Sequence, residues 1–147
     1  MAILRSILPL ILVLITTLLV SCGGPVAKAP PTYTPAKLQM IQTFTIPIKE
    51  AKEKFSTLQG FINEENWVNT RSFIHGPLGG LRQEMATLSR SLLPNDQKEA
   101  EALAKDLFSH FEELDAAAQE KNYSAVASQY KAALKDLDSF IELIPEA

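Results

Sequence analysis

Apolar residues recur along most of this chain at alternating three- and four-residue steps, the signature of amphipathic helices. Four stretches carry the pattern. The first runs through Ile41, Phe44, Ile48, Ala51, Phe55, Leu58 and Ile62. The second has Trp67, Ile74, Leu78, Leu81, Met85, Leu88 and Leu92. The third has Ala100, Leu103, Leu107, Phe111, Leu114 and Ala118, and the fourth Tyr123, Val126, Tyr130, Ala133, Leu137, Phe140 and Ile144. No strand-like alternation competes with them. The expected fold is therefore all-α, an up-down-up-down four-helix bundle spanning residues 35–147, because the connections are too short for anything but antiparallel neighbours.

The breaks between stripes carry helix-terminating chemistry. Thr34-Pro35 predicts a capped start with proline at the first helical position. Asn63 or Asn66 can cap the second helix, Asn95 the third and Asn122 the fourth, and Pro145 ends the pattern. Two prolines fall inside the scheme. Pro47 is expected to kink the first helix or to mark its true start. His75-Gly76-Pro77-Leu78-Gly79-Gly80 has the composition of a loop, yet Ile74, Leu78 and Leu81 keep their phase across it. That register predicts one helix kinked at Gly76 and Pro77.

The N-terminus follows a different rule. Arg5 is the only charge before Lys28, and a nearly continuous apolar run follows from Ile7 to Val20. It is short for a membrane span, which needs about 20 apolar residues. It ends in Leu19-Val20-Ser21-Cys22, the pattern of a lipoprotein signal: a branched apolar residue, a small residue, then the cysteine that receives the lipid. Residues 1–21 read as a signal peptide and Cys22 as the lipidation site; an uncleaved anchor helix is the alternative. Residues 22–34 then form a tether. It contains Pro25, Pro30 and Pro31, and in extended polyproline geometry it reaches on the order of 35 Å.

Composition narrows the function classes. Removal of Arg5 with the signal takes the net charge from -3 to -4, so there is no electrostatic case for nucleic acid. The lone cysteine leaves no disulfide, and the domain must be held by its core. His75 and His110 are the only histidines. Neither has a glutamate three residues earlier, so the di-iron bundle signature fails. Covalent haem lacks its Cys-x-x-Cys-His attachment, and a Met40 or Met85 pair with histidine is weak support for free haem. Ser72 and Ser109 lie near histidines without an orienting acid. The Gly76–Gly80 run lacks the strand and lysine of a phosphate loop. No enzyme activity, cofactor, metal or small-molecule substrate is expected. Arg71 sits on the second stripe, either snorkelling at a bundle end or forming a partner patch with Trp67.

The second helix also supports a resemblance. Trp67-Val68, Ser72-Phe73-Ile74-His75-Gly76-Pro77-Leu78 and Leu92-Leu93-Pro94 resemble the PsbQ family, in its cyanobacterial branch. The likeness continues through Ala100, Leu107-Phe108, Leu114-Asp115-Ala116-Ala117, Tyr130, Leu134, Phe140 and Ile144-Pro145. It implies a non-catalytic extrinsic subunit of photosystem II, lipid-anchored on the lumenal side of the thylakoid membrane. Such a subunit stabilises the oxygen-evolving complex and its calcium and chloride. Its partners would be the photosystem core and other extrinsic lumenal subunits. Trp67, Arg71, His75 and Arg82 are the candidate docking residues. The rival readings are a periplasmic lipoprotein bundle acting as an assembly factor or adaptor, and a metal-carrying bundle using His75 or His110. Co-purification separates the first rival and metal analysis the second.

Overall fold

The structure is a computed structural model that describes residues 31–146. The signal segment, Cys22 and most of the tether lie outside the described residues. Those residues form an all-α bundle of five helices without a sheet: α1 Pro35–Asn63, α2 Trp67–His75, α3 Leu81–Ser91, α4 Pro94–Gln119 and α5 Tyr123–Glu142.

The stripes are the core. Every stripe residue is buried except the partly covered Phe44, Trp67 and Leu103 and the exposed Tyr123. Phe55 sits at the centre, its ring 5.7 Å from Phe111 and 6.0 Å from Tyr130. The Tyr130 hydroxyl donates to the Phe55 carbonyl at 3.1 Å, so α5 is joined to α1 by a polar contact as well as by packing. Such a bond gives a buried tyrosine oxygen the partner it needs.

One expectation needs correction. The second stripe is two helices, because residues 76–80 are a turn and not a kinked helical stretch. Pro77 has no amide to donate. The Gly76 amide still makes the helical bond to Ser72, but beyond it the order changes: Leu78 bonds to the Phe73 carbonyl, Gly79 to Gly76 and Leu81 to Leu78. The turn nevertheless keeps Ile74, Leu78 and Leu81 buried, which is why the apolar phase runs through it. Lys54 on α1 donates to the Pro77 carbonyl at 3.4 Å. Pro47 behaves differently. It lies in the interior of α1, which runs past it without interruption, so it does not mark the helix start.

The caps follow the sequence with one exception. Thr34, Asn66 and Asn122 each accept a backbone amide three residues on. Asn95 does not cap α4, because Pro94 already occupies the first turn and Leu93 stands at the cap position. The Leu93 amide is satisfied by the Tyr33 hydroxyl at 3.0 Å, and that hydroxyl in turn donates to Asp96.

Two turns at one end of the bundle share a design. Glu64-Glu65-Asn66-Trp67 and Glu120-Lys121-Asn122-Tyr123 follow the same order of residue types. Glu65 and Lys121 adopt left-handed backbone, with φ of 52° and 57°. The Asn66 amide reaches the Phe61 carbonyl and the Asn122 amide the Ala117 carbonyl, closing the Schellman pattern. Each asparagine then caps the next helix. At the opposite end, Gln42 near the start of α1 donates to the Pro145 carbonyl at 2.8 Å. The start of α1 therefore lies at the end away from Trp67 and Lys121. With α1 of 29 residues, the two ends are about 43 Å apart.

Candidate functional site

The four docking candidates gather on one side of the bundle, where α2, the glycine turn and the start of α3 cross α4. Two adjoining grooves lie there and share His75. One, of about 440 Å³, is lined by Ile74, Leu78, Gly79, Arg82, Phe108 and Glu112 among others. The second, of about 500 Å³, has Trp67, Val68, Arg71, Gln119 and Lys121 on its walls. Val68 is 75% exposed. Gly76 and Pro77 shape the turn between the helices and are themselves exposed.

Asp115 organises this side, although the apolar pattern does not single it out. Its carboxylate accepts two bonds from Arg71, at 3.0 Å from Nε and 3.3 Å from Nη2, and lies 3.1 Å from His75 Nε2. Arg71 and His75 are four residues apart on α2, so both project toward the same point. The signal was available in retrospect: an acid one helical step beyond Leu114 faces the flank of the α4 stripe. Nothing in the sequence said which helix lay opposite. Burial pushes the Asp115 carboxyl up, but hydrogen bonds and charge from Arg71 and His75 outweigh it and hold the group below its usual value.

That direction sets a pH dependence. A carboxylate with a depressed folded-state pKa contributes stability that is present above its unfolded value, about pH 4, and lost as pH falls through the folded value. The Asp115→Asn variant is expected to melt a few degrees below the wild type at pH 7. The gap should close as acid protonates Asp115 in the wild type. Circular dichroism melts from pH 7 down to pH 2 measure this directly, and a gap that widened in acid would refute it.

Arg82 makes a separate contact. Its guanidinium carbon lies 4.3 Å above the Phe108 ring centroid, a cation–π stack. Its Nη2 donates to Glu112 at 3.0 Å.

His110 is placed elsewhere, between α4 and α5. Its Nδ1 is 2.7 Å from Gln129 Oε1, and its Nε2 is 3.5 Å from Asp136. Burial raises the Asp136 carboxyl, with Asp106 adding to the effect and His110 and Lys135 opposing it. The two histidines thus belong to different helix contacts. Among the described residues no three His, Cys, Asp or Glu side chains gather as a metal site.

A bundle whose polar side chains pair with one another around a half-buried tryptophan and arginine and an exposed valine has the anatomy of a binding module. The family described as PsbQ, oxygen evolving enhancer protein 3, matches residues 4–145. CyanoQ of Synechocystis sp. (strain ATCC 27184 / PCC 6803 / Kazusa) is 51% identical over 145 residues, covering 98% of this chain and 97% of that protein. The chain belongs to the PsbQ family.

Proposed function

We infer that this bundle works by docking. As a CyanoQ-type member of the PsbQ family it is a non-catalytic extrinsic subunit of photosystem II, acting on the lumenal side. The finer reading concerns how it is held and what it protects. Residues 1–21 are removed as a signal peptide, Cys22 carries lipid, and residues 22–34 tether the up-down-up-down bundle, whose second member is the α2–α3 pair, to the thylakoid membrane. The tether raises the local concentration of the bundle at the photosystem core. The α2–α3 side then covers the core and neighbouring extrinsic subunits, and slows loss of calcium and chloride from the oxygen-evolving complex.

The identity to CyanoQ across nearly the whole chain carries this reading. The geometry supports it in one respect. The candidate side carries a partly exposed tryptophan and arginine and an exposed valine, residue types suited to a protein contact. The test is affinity purification of a C-terminally tagged chain from gently solubilised thylakoids. Oxygen-evolving photosystem II is expected in the eluate. Recovery of the tagged chain alone, or with unrelated envelope proteins, would sink the assignment.

A further inference from the structure

The contact between α4 and α5 holds a chain of polar side chains that docking does not use. Asp106, His110 and Glu113 follow one another at helical spacing on α4, and Gln129 and Asp136 stand two turns apart on α5. Gln129 bridges the two helices. Its amide nitrogen donates to the Glu113 carboxylate, and its Oε1 lies 2.7 Å from His110 Nδ1. A carboxylate can only accept, so the bond to Glu113 fixes which way round the Gln129 amide stands. Its oxygen therefore faces His110, and Nδ1 is the ring nitrogen that carries a hydrogen and donates.

That assignment leaves Nε2 bare in a neutral His110. Nε2 lies 3.5 Å from Asp136 Oδ2, and this oxygen is buried with no hydrogen-bond partner among the described residues. Two acceptors thus face each other, on side chains that are only 30% and 17% exposed. An acceptor left unpaired away from water is costly. One proton placed between the two satisfies both, because it turns them into a charge-assisted hydrogen bond. The charged groups that act on Asp136 come from these same two helices. Burial is the largest influence on its carboxyl and raises it; Asp106 on α4 adds to this, while His110 and Lys135 on its own helix oppose it.

We propose that His110 and Asp136 form a proton-binding site that ties α4 to α5 as the surrounding solution turns mildly acid. The proton belongs to the pair and not to either side chain alone. With it, the folded chain gains a hydrogen bond that the unfolded chain does not. The pair's contribution to stability is therefore present at pH 6 and lost as pH rises toward 8.

The full-length chain in detergent micelles, labelled with nitrogen-15 at histidine, tests this by long-range proton–nitrogen correlation spectra from pH 5 to pH 9. Only His75 and His110 contribute signals, and H75Q assigns them. His110 is expected to carry its remaining hydrogen on Nδ1 once the extra proton has left. Asp136→Asn supplies the missing hydrogen permanently through its amide. This variant should melt about 3–6 °C above the wild type at pH 8, with the gap closing or reversing at pH 6. A neutral His110 with its hydrogen on Nε2 would overturn the proposal, since Asp136 would then be satisfied without an added proton. So would a melting difference between wild type and D136N that stays the same from pH 8 to pH 6. The wild-type spectra decide the matter by themselves should D136N fail to fold.

Discussion

Replacing Phe55 with alanine is expected to lower the stability of the bundle by about 3–5 kcal/mol. The ring is 1% exposed and touches aromatic partners from two other helices, Phe111 on α4 and Tyr130 on α5. Truncation removes the apolar surface that holds α1 to both and leaves a void that three helices cannot all collapse into. With total stabilities of roughly 5–15 kcal/mol for domains of this kind, the loss is a large share. The melting temperature should fall by roughly 10–20 °C. Phe55→Leu preserves most of the volume and should cost less than half as much. Urea or thermal unfolding followed by circular dichroism distinguishes the two. An alanine variant as stable as the leucine variant would show that Phe55 is not the centre of the core. The absence of any disulfide makes the effect sharper, because no cross-link supports the helices once that contact is gone.

The core was legible because helical burial leaves a one-dimensional trace. A residue such as Leu107 or Leu137 is buried on account of its phase relative to its own neighbours, and phase is written in the sequence. Caps were legible for the same reason: Thr34, Asn66 and Asn122 act on amides three residues away. Asn95 failed as a cap because Pro94 already stands in the first turn and puts Leu93 at the cap position. The bond from the Leu93 amide to Tyr33, sixty residues earlier in the chain, is what no local rule could have supplied.

The site divides along the same line. Trp67, Arg71, His75 and Arg82 follow one another on α2 and α3, so their shared side of the bundle could be inferred from helical spacing. Their counterparts Asp115, Glu112 and Phe108 come from α4, and the pairing depends on which helices meet and at what height. Arg71 illustrates the difference. Both of its sequence readings, a snorkelling arginine and a partner patch, left out the bidentate bond to Asp115 that fixes where it points. The glycine turn is the most instructive case. Unbroken apolar phase implied continuity of the helix, but phase records only which residues face the core. A short non-helical turn delivers Leu78 and Leu81 to the core equally well.

That turn leads to the second large effect. Gly79→Ala is expected to destabilise the domain by about 2–4 kcal/mol, although it adds only a methyl group at an exposed position. A Cβ at residue 79 would lie 2.3 Å from the His75 carbonyl oxygen and 3.2 Å from its carbon. Both are backbone atoms, so no rotamer change can relieve the overlap. The turn itself would have to open. Opening it moves Leu78 from the core on one side and disturbs the end of α2, and hence His75 and Arg71, on the other. Retention on photosystem II should therefore fall together with thermal stability. Gly60 provides the control. It lies within α1, and a methyl group added there would meet nothing within 4 Å, so Gly60→Ala should stabilise by roughly 0.5–1 kcal/mol through helix propensity. The paired melts give opposite signs if steric crowding at the turn is the cause. A Gly79→Ala variant as stable as the wild type would mean that the residue 76–80 turn can open without loss, and that glycine there serves the groove rather than the fold.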